Sequence, residues 1–201
     1  QFPGLMSSPR MARQPGGPAS VKLYEDYLRY LREGSPKGLE HAARDKPVAL
    51  AAPPDSRYPG RGAKGLVDGL RASGNYRHPQ WVGYYGGDLE ATIDLGETTD
   101  VKAVAVRCLQ CVPSGIYLPR QVLVAASDDG KAFREIATIQ PTLPQYAPGP
   151  QAVTLQTDKL AARARYVRVR AVSIGTIPAG QPGGGTKAWL FADEVLVNPA
   201  D

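Results

Sequence analysis

The sequence predicts an all-β domain, built as an antiparallel β-sandwich, with a short N-terminal helical arm in front of it. Glycine and proline are abundant, at 22 and 19 of 201 residues, which favours a loop-rich β protein over a helical one. After residue 46, short segments alternate apolar and polar residues and are separated by turns that contain Gly or Pro. Several short strands with such turns and little helix are typical of a sandwich.

Three regions follow one another along the chain. Residues 1–19 are rich in Pro, Gly and Ser and lack periodicity, which predicts an extended or disordered arm. Residues 20–45 predict a helical segment or linker, because Ser20 can cap a helix and apolar residues follow it at helical spacing. These residues are Leu23, Tyr24, Tyr27, Leu28 and Leu31. The helix either packs on its own domain or docks on another domain or subunit, and residues 46–198 carry the sandwich.

The strands are recognised by their period of two. The stretch "DLEATIDLG" alternates apolar residues that face inward with polar residues that face outward, as a half-buried strand does. The inward residues are Leu89, Ala91, Ile93 and Leu95. The stretch "VKAVAVRCL" predicts a second strand, and "QVLVAASDDG" predicts a strand that enters an Asp-Gly turn, from which "FREIATIQ" returns. Further strands are predicted in "QAVTLQT", "RYVRVRAV" and "WLFADEVLVN".

Charge and hydropathy exclude two classes of partner. The formal net charge is +5, and the charges are scattered along the chain, whereas a nucleic-acid-binding protein usually carries a basic stripe with interleaved aromatics. No apolar run approaches the roughly 18 residues that a membrane span needs. We therefore expect neither nucleic acid nor a membrane span. Because Gln1 is not an initiator Met, we expect a processed or excised chain from which targeting information has been removed.

Two cysteines, Cys108 and Cys111, lie in "RCLQCVP". A redox role for such a pair requires a nearby βαβ pattern, which is absent from this sequence. No His follows Cys111, which excludes covalent haem attachment, and two thiols without nearby His make a poor zinc site. Two interpretations stay open: small residues at a strand end, or a local disulfide across a turn supplied by the following "PSG".

Asp193 and Glu194 lie inside the last apolar strand, "WLFADEVLVN". In a regular strand, neighbouring side chains point to opposite faces. Two carboxylates on opposite faces cannot flank one glycosidic bond, so the pair does not fit a glycosidase. A metal site would need only one of them.

Three stretches in order carry a resemblance to a known family. They are "YPGRGAKGLVDGLRASGNYRHPQWVGYYGGDLEATIDLG", "LPRQVLVAASDDGKAF" and "ARYVRVRAVSIGTIPAGQPGGGTKAWLFADEVLV". Together they resemble the coagulation-factor V/VIII type C, or discoidin, family over residues 46–198. The version at the C-terminal end of many bacterial β-N-acetylhexosaminidases is the most similar, through the "W-x-G-[FY]-x-G-x-DL" run and the Gly-rich loop before "KAWLF-x-DE".

The resemblance implies a jelly-roll sandwich of the galactose-binding type. Such domains are generally non-catalytic and bind glycans, lipid headgroups or proteins through loops at one end of the sandwich. Many carry a structural calcium, and the positions that match its acidic ligands are Asp68 and Glu194. Backbone or side-chain oxygens for a calcium ion would come from Gly65, Ser73 and Asn75. The alternative is that Asp68 caps a turn and that Glu194 is solvated.

Sugar binding uses flat aromatic faces together with planar polar side chains, and three loops supply such residues. The candidates are Tyr76, Arg77, His78 and Trp81 in the first loop, Tyr117 and Arg120 in the second, and Gln181 and Lys187 in the third. Trp81 and Trp189 adjoin strands, so each is either a core residue or a ligand residue. Arg168 and Arg170 lie either on a solvated strand face or in a patch for acidic polysaccharide.

Two functions follow as expectations. The first is a non-catalytic carbohydrate-binding accessory module of a secreted, cell-surface or periplasmic protein. The alternative is an assembly module that docks on a partner protein through residues 1–45 and binds no sugar. An enzyme is not expected, because a hexosaminidase needs a barrel with its own acidic pair, and no nucleophile elbow, P-loop or HExxH motif is present in this sequence. Any link to an enzyme would come from the chain being a fragment of, or attached to, a glycoside hydrolase.

Overall fold

The computed structural model describes residues 38–200, except residues 145, 148 and 158. This part of the chain consists of strands and loops, and the prediction of an all-β domain is confirmed. The strands are β1 (Val48–Leu50), β2 (Val82–Tyr85), β3 (Leu89–Val101), β4 (Val104–Gln110), β5 (Gln121–Ser127), β6 (Arg134–Ile139), β7 (Gln151–Thr157), β8 (Ala162–Val172) and β9 (Trp189–Val197). Short 3₁₀ turns lie at Gly62–Leu66 and Val112–Ser114. The predicted arm (1–19) and the predicted helix in 20–37 lie outside the described residues.

The strands form two antiparallel sheets. One sheet has the order β1-β3-β8-β5-β6, and the other has the order β2-β9-β4-β7. Buried apolar side chains of both sheets meet in one core, for example Ile93 and Val167 of the first sheet with Val106 and Leu190 of the second. The observed architecture is therefore the predicted sandwich.

Strand β3 follows the predicted alternation. Its inward side chains are at most 3% exposed; they are Leu89, Ala91, Ile93 and Leu95. The polar residues between them face outward, and carboxylates in and just before β3 pair with arginines of β8. Arg170 lies 2.7 Å from Asp88, and Arg168 lies 3.9 Å from Glu90. Of the two interpretations of this face, the structure therefore fits a solvated, charge-paired strand face.

The hairpin of β5 and β6 is the one predicted from the Asp-Gly turn. Asp129 accepts hydrogen bonds from the amides of Lys131 (2.8 Å) and Ala132 (2.9 Å) through one carboxylate oxygen. Gly130 has a φ of +72°, a left-handed conformation that glycine adopts without steric cost. Local sequence is sufficient to specify this turn.

Strand β9 contains a β-bulge at Asp193. Its neighbour β4 pairs Arg107 with Glu194, but the next residue of β4, Cys108, pairs with Ala192. Asp193 is therefore an additional residue on β9 that no residue of β4 opposes. The strand does not keep the regular alternation that its sequence predicts.

The bulge changes which positions of β9 face the core. Before the bulge the core residues are the even-numbered Leu190 and Ala192, and after it they are the odd-numbered Val195 and Val197. Asp193 and Glu194 lie between these two sets, and neither belongs to the core cluster. The expectation that their side chains point to opposite faces is wrong, because the extra residue shifts the period of the strand.

The segment before β1 packs on the sandwich. The amide of Ala42 donates to the carbonyl of Val197 at 2.7 Å, and Ala43 is fully buried in the core between the sheets. Residues 42–45 form a turn. The described end of the expected helical segment thus packs on the sandwich and contains no helix.

Cys108 and Cys111 are both buried free thiols. Cys108 belongs to the core between the sheets, whereas Cys111 belongs to a second cluster around Trp81 and Phe191. The disulfide interpretation is therefore wrong, because the two sulfurs enter different clusters. Burial raises the pKa of the Cys108 thiol far above its usual range.

Among the described residues, no helix is long and apolar enough to cross a membrane.

Candidate functional site

The loop between β1 and β2 folds over β9 at the bulge. We call residues 61–81 the covering loop. The amide of Gly69 donates to Glu194 Oε1 at 3.0 Å, and the amide of Ala72 donates to Asp193 Oδ2 at 2.6 Å. Both carboxylates are fully buried. The two acidic residues therefore act as acceptors that fix the backbone of the covering loop, because a buried amide needs a hydrogen-bond partner.

Each buried carboxylate also contacts a basic side chain. The guanidinium of Arg107 donates to Asp193 Oδ2, and His41 Nε2 lies 3.0 Å from Glu194 Oε1. Through His41, the segment before β1 is joined to the last strand. Two elements that are distant in sequence are thus held on β9 by a pair of neighbouring residues.

Burial shifts the pKa values of these groups. It raises the pKa of Asp193 to about 7, an effect that the Arg107 guanidinium and the Ala72 amide oppose. It raises the pKa of Glu194 to about 8, which the Gly69 amide opposes. Burial also lowers the pKa of His41 to about 4, and the charge of Arg44 adds to this effect. All three directions follow from the cost of placing a charge away from water.

Asp193 and Glu194 do not point to opposite faces of β9, which was the reason for expecting no catalytic acid pair. The bulge directs both carboxylates toward the covering loop rather than to opposite faces of β9. Neither Asp193 nor Glu194 is exposed to solvent, and each holds a backbone amide of that loop. A substrate cannot reach the carboxylate oxygens of either residue, so both residues have a structural role.

The predicted metal ligands lie in or under the covering loop. Asp68 is 7% exposed and accepts from the amide of Leu70 (2.9 Å), from Gln80 Nε2 (3.1 and 3.2 Å) and from the Arg61 guanidinium (2.8 Å). Glu194 lies close enough for the charge of Asp68 to act on it. Asp68 thus caps the turn, as one sequence interpretation held, and also accepts from a cation and a side-chain amide. The other half of that interpretation, a solvated Glu194, is wrong, because Glu194 is fully buried.

Among the remaining predicted ligands, Ser73 is already engaged in hydrogen bonds of the fold. The carbonyl of Ser73 accepts from the Trp81 indole N–H at 3.1 Å, and its hydroxyl accepts from the Asn75 amide at 3.3 Å. Gly65 belongs to the 3₁₀ turn. Across the described part of the chain, no group of three or more His, Cys, Asp or Glu residues is placed to hold a metal ion.

A surface of half-exposed aromatic rings lies where β9 begins. We call it the Trp189 surface, and its rings are those of Tyr58, Tyr76, Tyr85 and Trp189. The Trp189 ring lies 5.0 Å from the ring of Tyr58 and 4.8 Å from that of Tyr85, and the rings of Tyr58 and Tyr76 are 6.4 Å apart. Tyr85 is 37% exposed, so this surface presents aromatic area to solvent.

Two glycines allow this arrangement. A Cβ on Gly83 would lie 2.7 Å from the Phe191 ring and 2.9 Å from Tyr58 Cβ, so the absence of a side chain lets Tyr58 pack across β2. Gly86 has a φ of +72°, and a Cβ there would lie 2.7 Å from the stem of Lys187. Gly83 in β2 and Gly86 just after it therefore allow the Tyr58 ring and the Lys187 side chain to lie on the same surface.

Three cations accompany the rings. The Arg57 guanidinium lies 4.4 Å from the centre of the Trp189 ring and 4.9 Å from that of Tyr85. Lys187 Nζ lies 6.0 Å from the Tyr85 ring, and Arg77 lies over the ring of the adjacent tyrosine at 5.4 Å. These are cation–π distances. Aromatic rings and positive charges thus alternate across the surface.

Asp55 fixes Arg57 in place. Its two carboxylate oxygens accept from Arg57 Nε at 2.9 Å and from Nη2 at 3.0 Å. The Arg57 backbone amide also donates to Asp55 at 3.0 Å. These hydrogen bonds lower the pKa of Asp55 to about 2, so the carboxylate stays ionised. The guanidinium is held in one orientation by two hydrogen bonds and two ring contacts.

The predicted ligand residues divide into two groups. Tyr76, Arg77 and Lys187 belong to the Trp189 surface. Trp81 and Tyr117 are each 1% exposed, so their rings offer no face for stacking, and we leave both out of the proposed sugar site. The buried position of Trp81 is one of the two interpretations that its sequence allowed.

The other predicted ligand residues are engaged in their own loops. Arg120 donates to the Ile174 carbonyl at 2.8 Å, and the amide of Gln181 donates to the Pro178 carbonyl at 3.2 Å. Burial lowers the pKa of His78, and its Nδ1 accepts from the Gln80 amide at 3.3 Å.

Sequence reasoning missed Asp55, Arg57 and Tyr58. The stretch "DSRYPG" does carry a signal, because an Asp two residues before an Arg in a Pro- and Gly-containing loop favours a side-chain-stabilised turn. What the sequence did not reveal is that this turn packs against the beginning of β9, which lies more than a hundred residues later in the chain.

Comparison with known proteins identifies the fold. No protein-family model and no curated protein matches the chain. Among solved structures, a Streptococcus pneumoniae fucose binding module is similar with a TM-score of 0.52 at 16% identity, covering 82% of this chain and 99% of that one. The chain has the galactose-binding-like fold.

Two further structures of the galactose-binding-like fold are similar at lower TM-scores. One is a mutant of the lectin binding domain of lectinolysin complexed with Lewis b, with a TM-score of 0.49 and 20% identity, covering 81% of this chain and 97% of that one. The other is CpGH89CBM32-5 from Clostridium perfringens in complex with GalNAc-β-1,3-galactose. Its TM-score is 0.47 at 16% identity, with 77% of this chain and 95% of that chain covered.

The pair of Arg107 and Asp193 supports a stability prediction. We expect Arg107→Met to lower the free energy of unfolding by about 1–3 kcal/mol, because the buried Asp193 would lose its cation and would have to take up a proton or remain unpaired. The double variant Arg107→Met/Asp193→Asn is the control, since a neutral Asn can still accept from the Ala72 amide. Denaturant unfolding should show that the double variant recovers more than half of the loss. A loss below about 1 kcal/mol in the single variant would contradict this account of the bulge.

Proposed function

We propose that the chain is a non-catalytic carbohydrate-binding module and that glycan binds at the Trp189 surface. The observation that carries the proposal is the exposed ring of Tyr85 beside Trp189, with a guanidinium held in a fixed orientation against both rings. Pyranose rings have an apolar C–H side and a polar rim of hydroxyl groups. Aromatic area and oriented N–H donors are the complement of these two features.

The fold supports a sugar as the class of ligand. The Streptococcus pneumoniae module that shares the fold is a fucose binding module. Fold alone does not determine function, so the proposal rests on the surface that this chain builds from its own residues. We propose further that the module serves a secreted or cell-surface protein, a glycoside hydrolase for example, since such proteins meet glycan.

A catalytic function would need an accessible acidic pair or another reactive group. Asp193 and Glu194 are fully buried and hold the covering loop, and Asp55 is engaged by Arg57. These assignments support a binding role rather than a hydrolytic one. The alternative assembly role would depend on residues 1–45, of which 1–37 lie outside the described residues, and no contact of residues 38–45 favours it.

The covering loop offers calcium few free carboxylate oxygens, because among those of Asp68 and Glu194 only Glu194 Oε2 lacks a described hydrogen-bond partner. Calcium requires six to eight oxygen ligands. Asp68 instead receives N–H donors on both oxygens, one of them from the cation Arg61 at 2.8 Å, and Glu194 Oε1 receives the Gly69 amide. A divalent cation would have to share Asp68 with a guanidinium. We infer that Arg61 and Gln80 hold this loop, and calcium forms no part of the proposed mechanism.

The inference that Arg61 and Gln80, and not calcium, hold the covering loop leads to a direct prediction. Because protein donors hold the covering loop, neither calcium nor EDTA should change the melting temperature of the purified chain. Arg61→Ala should lower that temperature, whereas Arg71→Ala, a change at an exposed arginine of the same loop, should lower it less. A rise with calcium that EDTA reverses would contradict this inference.

Glycan binding can be tested with a matched pair of tyrosines. Tyr85 and Tyr146 are the exposed large hydrophobic residues of the described chain, at 37% and 44%, and only Tyr85 belongs to the Trp189 surface. On a glycan array with neutral and acidic sugars, we expect hits that Tyr85→Ala weakens at least about tenfold, as loss of a central aromatic contact does. Tyr146→Ala should leave them unchanged.

Two results would contradict the proposed function. One is an array without hits for chain whose fold has been confirmed by circular dichroism. The other is binding that survives Tyr85→Ala and is lost in Tyr146→Ala, which would move the site away from the Trp189 surface.

A further inference from the structure

The ion pairs of the five-stranded sheet and of the Trp189 surface differ. On the outer face of the five-stranded sheet, arginines are paired with carboxylates; Arg165 contacts Asp94 at 2.8 Å, for example. On the Trp189 surface, Asp55 pairs with Arg57, whereas Arg77 and Lys187 form no ion pair with a described carboxylate. Arg77 and Lys187 therefore give the Trp189 surface uncompensated positive charge, which attracts anions.

The position of Arg57 restricts how a sugar can bind. A neutral pyranose stacks its C–H side on a bare aromatic face. Here the guanidinium already lies on the rings of Trp189 and Tyr85, at 4.4 and 4.9 Å, and Asp55 holds it there through two side-chain hydrogen bonds. A ligand that approaches these ring faces meets the guanidinium first.

The guanidinium still has donors to offer. Arginine carries five N–H bonds in a planar fork, and Asp55 accepts from Nε and from Nη2. The N–H bonds of Nη1 have no partner among the described residues, and the Arg57 side chain is 57% exposed. Planar N–H donors match the oxygens of a carboxylate or sulfate group in both geometry and charge.

Lys187 supplies a second positive charge beside the same ring. Its Nζ lies 6.0 Å from the centre of the Tyr85 ring. The backbone of Lys187 is fixed by a bridge to Thr176, and its stem packs against Gly86. Tyr85 thus has Arg57 and Lys187 as neighbours. Both cations lie within about 6 Å of the centre of this ring, so each adds to the attraction for an acidic substituent near it.

Resting on the proposed function, we infer that the glycan bound at the Trp189 surface is anionic, with a carboxylate or sulfate group that contacts Arg57 and Lys187. The pyranose ring then lies beside Tyr85, and its charged group replaces water at the free edge of the guanidinium. Asp55 orients Arg57 and repels an acidic group that is placed elsewhere, which contributes to specificity for the position of the charge.

The test uses ligands that differ only in charge. Trigalacturonic acid and its methyl ester form one pair, and a sulfated galactobiose and its desulfated form are the other. Isothermal titration should show at least about tenfold tighter binding for the anionic member of one pair, as expected for a charge-assisted contact, and this preference should fall when salt is raised. The pair that shows the preference distinguishes a carboxylate ligand from a sulfate ligand.

Variants connect the preference to the proposed contact. Arg57→Gln should abolish the preference for the anionic member. Arg163→Gln is the matched control, because Arg163 is also an exposed arginine paired with an aspartate, Asp100, at 3.1 Å; it should leave the preference unchanged. Tyr85→Ala should weaken both members of a pair equally.

Three outcomes would overturn the inference. Equal or tighter binding of the neutral members, with array hits that are neutral, would refute the anionic ligand and leave the proposed function standing. An array without hits would refute the proposed function itself. Tighter binding of oligo-dT than of any saccharide, lost in Arg57→Gln, would assign the surface to single-stranded nucleic acid, which also pairs cations with stacked aromatics.

Discussion

The β-bulge at Asp193 is the constraint on which the surroundings of the last strand depend. One additional residue in β9 turns two neighbouring carboxylates toward the same loop. Without it, one of them would face the apolar core, where an unpaired carboxylate costs several kcal/mol. The bulge also lets residues on both sides of it, such as Ala192 and Val195, contribute to the core. A single local irregularity thus reconciles an acidic pair with a buried strand.

The buried carboxylates connect the fold to the Trp189 surface, where we propose that glycan binds. They hold the amides of Gly69 and Ala72, and the covering loop continues from there to Tyr76 and then to β2. The beginning of β9 presents Trp189, against which the loop before the 3₁₀ turn places Arg57 and Tyr58. Segments far apart in sequence therefore meet at the start of one strand. Their position depends on side-chain acceptors within the protein, which is why no metal ion is required in this account.

Much of the fold was predictable from the sequence because its signals are local. Alternation located β3, the Asp-Gly turn located the β5–β6 hairpin, and three ordered motifs indicated the galactose-binding-like fold. The bulge was not predictable, because "WLFADEV" keeps an apparently regular pattern and the shift becomes visible only in the pairing with β4. For the proposed site, loop composition predicted Tyr76, Arg77 and Lys187, but it could not separate exposed rings from buried ones. It did not suggest Arg57, whose proposed role depends on tertiary contacts.

Hydrogen exchange of individual amides tests the central claim most directly. If buried carboxylates hold the covering loop, the amides of Gly69 and Ala72 should exchange as slowly as those of β4 and β9, although they lie in a loop. Their protection would then reflect opening of the sheet rather than local motion of the loop. Exchange at the rate of an unprotected amide at both positions would contradict the claim, because the loop would then be free of the carboxylates on β9.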